Sequence, residues 1–213
     1  MSVDIRRLAV SDREAAAEIA VLSYPFLDPS LRLSEEDVDE HVAVFPEGAF
    51  AAELDGRLVG VAVGWTMDFD LDDPMHRLHD VMEPDCHDPH GAWYYGLDIS
   101  VHPEARGLGI GRRLYDARKA FIRRTRRRGM LAGGMIPGYR AVQHELSPAE
   151  YVAQVVAGER RDPTLSFQLS NGFVVRGLLP NYVVGTAGRG VATLLVWEAE
   201  QQVDDTPGPD ASV

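Results

Sequence analysis

Two hydrophobic rhythms alternate along the chain, and their order outlines a single α/β domain. Residues 4–8, Asp4-Ile5-Arg6-Arg7-Leu8, read as a short first strand. Ser11 and Glu14 have the spacing of a capping box, and Ala15, Ile19 and Leu22 place an apolar stripe on the helix behind them. Tyr24-Pro25-Phe26 and Asp28-Pro29 break that helix, and Ser34 with Asp37 opens a second one that ends near Phe45-Pro46. Residues 49–54 and 57–65 are strand-like runs around Asp55-Gly56, a dipeptide that accepts positive φ and so predicts a hairpin. Residues 70–91 are polar and cut by Pro74, Pro84 and Pro89, which predicts a long loop of the functional or disordered kind.

A strand alternating from Leu97 to Val101 follows, then a helix with Leu114, Ala117, Phe121 and Ile122 on one face, closed by Gly129. Residues 130–136 read as the next strand. Ser147-Pro148-Ala149-Glu150 starts another helix, with Pro at the first helical position. Asp162-Pro163-Thr164 leads a short helix over 165–169, and Asn171-Gly172 ends it in a left-handed cap. Residues 173–179 and 192–197 predict the last two strands. The segment 201–213, with Pro207-Gly208-Pro209, is expected to be a disordered tail behind one domain over residues 1–200.

Composition narrows the function. Hydrophobic residues at 45% and charged residues at 25% belong to a globular chain. A net charge of −12 and a pI near 4.9 argue against nonspecific nucleic-acid binding and against an anionic membrane surface. No run approaches membrane-span length and no N-terminal stretch resembles a signal, so a cytoplasmic protein is expected. Cys86 is the only cysteine, which fits a reducing compartment. Nine of the 21 basic residues fall between Arg112 and Arg128, a pattern expected of a solvated helix face. Arg112 and Arg113 stand apart, because a first helical turn ordinarily prefers acidic residues. Cations there make sense beside a polyanion.

The richest stretch is Arg106-Gly107-Leu108-Gly109-Ile110-Gly111, which sits between the predicted strand and helix. Glycines let backbone N–H groups approach an anion closely, and a helix N-terminus adds unpaired donors, a geometry suited to pyrophosphate. A P-loop would place Lys and then Ser or Thr after the last glycine, but Arg112-Arg113 stand there. A dinucleotide fold would begin with G-x-G-x-x-G, whereas this turn lies mid-chain. Val101-His102-Pro103-Glu104-Ala105-Arg106 through Gly111 resembles the acetyl-CoA signature of the GNAT N-acetyltransferases. The element order matches that fold over residues 4–198. Met135-Ile136-Pro137-Gly138-Tyr139, the run from Asp162 to Phe173, and Leu179-Pro180-Asn181-Tyr182 resemble a subgroup sometimes joined to a nitrilase-type amidohydrolase; at this length no such domain is expected here.

The resemblance implies a mixed, mostly antiparallel twisted sheet of about seven strands, flanked by helices and splayed at the fourth. It implies acetyl-CoA as acyl donor, a small-molecule or peptide amine as acceptor, and leaves a homodimer open. Backbone groups of Ile99, Ser100 and Val101 would pair with the pantetheine arm. Arg106, Gly107, Leu108, Gly109, Ile110, Gly111 and Arg112 would hold the pyrophosphate. Many members carry a tyrosine that protonates the leaving sulfur; here that position is Gln168, which cannot. Tyr139 and Tyr182 are the candidate replacements, and an acid is dispensable if the thiolate leaves unaided. Asp98 is a candidate base, with Glu83, Asp85 and His87 as alternatives in the preceding loop.

His76, His79, Cys86, His87 and His90 invite a metal reading, but their spacing matches no zinc pattern, and a polar lid over the acceptor site is expected instead. A non-catalytic acyl-CoA sensor or scaffold is the alternative function. The acidic residues of the 70–91 loop lean toward a cationic acceptor.

Overall fold

The computed structural model describes residues 2–183 and 190–200. Seven strands form one sheet in the order β1-β2-β3-β4-β5-β7-β6. They are β1 (Val3–Arg7), β2 (Phe50–Leu54), β3 (Arg57–Met67), β4 (Trp93–Val101), β5 (Gly129–Met135), β6 (Val174–Leu179) and β7 (Ala192–Glu198). Only β4 and β5 run parallel, because α4 (Ile110–Arg124) crosses over between them. The expected mixed sheet is therefore present. The hairpin turn between β2 and β3 places Asp55 at φ 50° and Gly56 at φ 82°, as its sequence demands.

Helices cover both faces. On one, α1 (Arg13–Ser23) and α2 (Glu35–Val44) pack Ala16, Ala20 and Val38 against Val61 and Val63. On the other, α4 buries Ile110, Leu114, Phe121 and Ile122 against the sheet. The remaining helices are α3 (His79–Met82), α5 (Pro148–Val156) and α6 (Leu165–Ser170). Ser34 and Ser147 cap α2 and α5, each closed by the acidic residue three positions on.

Several local expectations shift. Asp12, not Ser11, organises the start of α1: its carboxylate accepts from the Ala9 N–H and from the Arg6 guanidinium. The buried stripe is Ala16, Ile19 and Ala20, while Leu22 faces outward. Gly129 does not close α4; it opens β5, where a Cβ would fall 2.1 Å from the Trp197 carbonyl oxygen. The helix ends earlier, with Arg126 at φ 53° and the Arg127 N–H reaching back to the Ile122 carbonyl. The 70–91 loop contains α3, and the tail expected over 201–213 lies outside the described residues.

The basic run is less solvated than its composition implies. Arg118 is 1% exposed and Lys119 is also buried. Lys119 donates to the Asn171 carbonyl and lies over Trp197, anchoring the end of α6 to α4. No helix among the described residues is long and apolar enough to cross a membrane.

Candidate active site

β4 and β5 form a fork. They pair only through Trp93, Tyr94 and Tyr95 with Gly129, Met130 and Leu131. Beyond that point β4 stays with β3 and β5 stays with β7, so the two inner edges diverge. A bulge helps to bend β4 away: Gly64 opposes Gly96 and Val63 opposes Asp98, leaving Leu97 as the extra residue. Arg118 rises from α4 into this irregularity and donates to the Val63 carbonyl at 2.6 Å and to the Asp98 carbonyl. Its Nη1 would stand 3.2 Å from a Cβ on Gly96, so the floor of the fork is a glycine under a buried cation.

A cavity of about 840 Å³ follows the fork. One end reaches the turn from β4 to α4. There Gly107 has φ 83° and Gly109, the residue preceding α4, has φ 76°, both left-handed conformations that favour glycine. Gly111 serves a different purpose, because a Cβ on it would fall 2.8 Å from the Phe167 ring of α6. Arg106, Gly107, Gly109, Ile110, Gly111 and Arg112 line this end. Leu108 projects outward and is 48% exposed. Arg113 points away from the turn and donates to the Val3 carbonyl at 2.8 Å, which removes it from the expected anion site.

Along β4, Ile99 and Val101 line the cavity, whereas the Ser100 side chain is buried. The Ile99 carbonyl accepts from Tyr24 Oη at 2.8 Å, and the Val101 carbonyl from Ser23 Oγ and Arg106 Nε, both at 3.3 Å. Tyr24 carried only a helix-breaking signal in the sequence. Its partner lies 75 residues away, a contact no local pattern encodes.

The other end lies on the face covered by α1 and α2. Asp98 is directly opposite Val63, whose side chain packs with those helices, so the carboxyl faces the same way. Burial pushes the Asp98 carboxyl up to about 6. His41 stacks on Trp65 with ring centroids 3.9 Å apart, and burial lowers its ring to about 3, so it stays neutral. Asp37 and His41 of α2 join Asp98 in the lining. Seven buried side-chain polar atoms among the described residues lack a partner. Four belong to this lining: His41 Nδ1, Asp98 Oδ1, Arg118 Nε and Gln168 Oε1. Buried polar atoms are nearly always paired, so each of the four is a bonding position left open along the cavity.

The two candidate tyrosines separate. Tyr139 is buried, donates to the Leu146 carbonyl at 3.0 Å and packs beside Tyr151; it does not line the cavity. Tyr182 does line it, with its ring over Gly133, where a Cβ would fall 2.1 Å from Cζ. Gln168 lies against Gly134, one residue on, and therefore on the opposite face of β5. Glu83, Asp85 and His87 are not in the lining. Among the described residues no group of three His, Cys, Asp or Glu converges as a metal site. His87 pairs with Thr66, and Cys86 Sγ donates to the Asp80 carbonyl.

Comparison with known proteins points the same way. The sequence profile of the Acetyltransferase (GNAT) family matches residues 13–132. The chain is 36% identical over 197 residues to a Bacillus subtilis protein named Probable hydrolase YhcX, covering 91% of this chain but 38% of that protein. It is 32% identical over 201 residues to the Bacillus subtilis Uncharacterized N-acetyltransferase YkwB, covering 92% of this chain and 89% of that one. The solved structure of the GphF GNAT-like decarboxylase in complex with isobutyryl-CoA has the same fold, with a TM-score of 0.76 at 23% identity. That match covers 92% of this chain and 98% of the other. On the profile match and the identity to YkwB, this chain belongs to the GNAT acetyltransferase family.

Proposed function

We propose that the chain is an acetyl-CoA-dependent N-acetyltransferase that passes the acetyl group directly to an amine. The observation that carries this reading is the fork itself: a diverging β4 edge that begins after Tyr95, passes Asp98 and ends in a glycine turn at the start of α4. Backbone groups of Ile99 and Val101, on the edge of β4 turned away from β3, offer contacts for the pantetheine arm, with Ser100 between them bonded toward β3. The turn from Arg106 to Gly111 offers N–H groups for the pyrophosphate, with the helix dipole behind them. The structurally similar GphF is described in complex with isobutyryl-CoA, which supports an acyl-CoA as the kind of ligand this fold takes. Holding both reactants in the fork turns a two-body attack into an intramolecular one, the largest contribution expected here.

Asp98 is assigned as the base. Its carboxyl is raised to about 6 yet ionised at neutral pH, and its free Oδ1 is available to an incoming nitrogen. Asp37 adds a second carboxylate to the same end, which favours an acceptor arriving as a cation. A small-molecule amine and a peptide amine both satisfy that chemistry.

The test mixes the chain with acetyl-CoA and a panel of small amines and peptides, and follows free thiol and acetylated product. Amine-dependent thiol release is expected. Tight acetyl-CoA binding with no release for any amine would replace this reading with a non-catalytic acyl-CoA sensor. Arg112→Ala should weaken acetyl-CoA binding by about 1–2 kcal/mol, the loss of one charge-assisted phosphate bond. An unchanged dissociation constant at low salt would return Arg112 to an ordinary solvated cation.

A further inference from the structure

Tyr182, Tyr95 and His76 form a hydrogen-bonded chain from the cavity into the segment between β3 and β4. Tyr182 Oη lies 3.0 Å from Tyr95 Oη, which lies 2.6 Å from His76 Nε2. The other ring nitrogen, Nδ1, is 2.7 Å from the Pro74 carbonyl oxygen. A carbonyl only accepts, so Nδ1 carries a hydrogen, and in a neutral ring Nε2 must then accept. Tyr95 consequently donates to His76, and Tyr182 donates to Tyr95. Every hydroxyl hydrogen in the chain points out of the cavity, and the Tyr182 oxygen is left as an acceptor.

The arrangement is held from several sides. Gly133 gives the Tyr182 ring its place on β5, and the Leu78 N–H donates to the Tyr182 carbonyl at 2.9 Å. The His76 ring stands edge-on to Phe69, Tyr95 and Tyr182, with centroids 5.1, 5.4 and 5.6 Å away. The titratable groups around His76 among the described residues are Tyr95 of β4, Tyr182 beyond β6, and Asp80 of α3, whose carboxylate accepts from the Arg77 N–H. Burial lowers the proton affinity of His76, which favours the neutral ring at rest.

We propose that Tyr182, Tyr95 and His76 are a reversible proton relay, with His76 as the store, that first drains the acceptor ammonium and then protonates the departing sulfur. The proposal rests on the acetyl-transfer reading above. The ammonium gives one proton to Tyr182 Oη while Tyr182 gives its own to Tyr95 and Tyr95 its own to Nε2. The freed nitrogen lone pair forms the C–N bond to the thioester carbon, and Asp98 takes a second proton from that nitrogen. The C–S electron pair leaves with sulfur. The imidazolium now donates from both nitrogens, so the chain reverses: His76 gives to Tyr95, Tyr95 to Tyr182, and Tyr182 to the thiolate. His76 ends neutral, and the one net proton of the reaction departs from Asp98 to solvent.

Tyr95→Phe removes the middle hydroxyl and keeps the ring. With acetyl-CoA and a series of amines of graded basicity, it should slow single-turnover thiol release by roughly 10²-fold for the most basic amines. The deficit should shrink toward nothing as the amine becomes less basic or the pH rises, while acetyl-CoA affinity stays constant. A loss uniform across the series, or one that follows acetyl-CoA affinity, overturns the relay. Nitrogen-15 NMR of the full chain should find His76 protonated on Nδ1 and bare on Nε2 at neutral pH, and the opposite tautomer overturns its direction. The two readings fail separately. A native chain that acetylates none of the amines removes the transfer reading and the relay's use with it. Normal acetylation with the wrong tautomer removes the relay alone.

Discussion

Gly109→Asp is expected to abolish acetyl-CoA binding while leaving the fold intact. Gly109 immediately precedes α4 at φ 76°, and a Cβ built there meets nothing within 4 Å. The substitution therefore displaces no packed group. It imposes a left-handed residue, which Asp tolerates at a cost of about 1–2 kcal/mol. It also sets a carboxylate among the N–H groups proposed to hold pyrophosphate. Two unit charges about 4 Å apart near a protein surface repel by about 4 kcal/mol, roughly a thousandfold in affinity. Gly109→Asn separates the two effects, since it makes the same backbone demand without the charge. Calorimetry should find weakened but measurable binding for Asn and none for Asp. Equal affinities in the two variants would move the pyrophosphate elsewhere.

Asp98→Asn should cut the single-turnover rate by roughly 10²-fold or more with acetyl-CoA affinity unchanged. The native rate should rise with pH through about 6, where the carboxylate forms, and this limb should vanish in the variant. Stability should move the other way. The folded carboxyl titrates near 6 and the unfolded one near 3.8, so between those values the folded chain binds more protons. Native stability therefore falls as pH rises across that window, and Asn, which never ionises, escapes the loss. A variant slower but more thermostable at pH 8 is the expected signature of a charge kept for chemistry. A native acid limb that persists in Asp98→Asn would assign the base to another group.

The sequence by itself determined most of the architecture, because the signals involved are local. Ser34-Asp37, Ser147-Glu150, Asp55-Gly56 and Asn171-Gly172 act through backbone groups three or four residues away, and each stands where its chemistry requires. The glycine turn was legible for the same reason, since positive φ at Gly107 and Gly109 is a property of the residues themselves. Errors arose where a local signal met a tertiary one. Ser11 lost the start of α1 to Asp12, which Arg6 of β1 holds, and Gly129 was claimed by the close approach of β7.

Only the tertiary structure decided the reacting end of the site. Whether Tyr139 or Tyr182 reached the cavity depended on glycines of β5 and on a carbonyl at Leu146, not on either tyrosine's neighbours. Arg118 looked like one more cation on a solvated helix, and became a buried donor to the Val63 and Asp98 carbonyls where the register of β3 and β4 shifts. His76 looked like part of a polar loop. Its proposed role follows from two hydroxyls, 19 positions away at Tyr95 and beyond β6 at Tyr182. Hydrogen-bond direction depends on which atoms meet across the fold, and strand alternation alone cannot supply that.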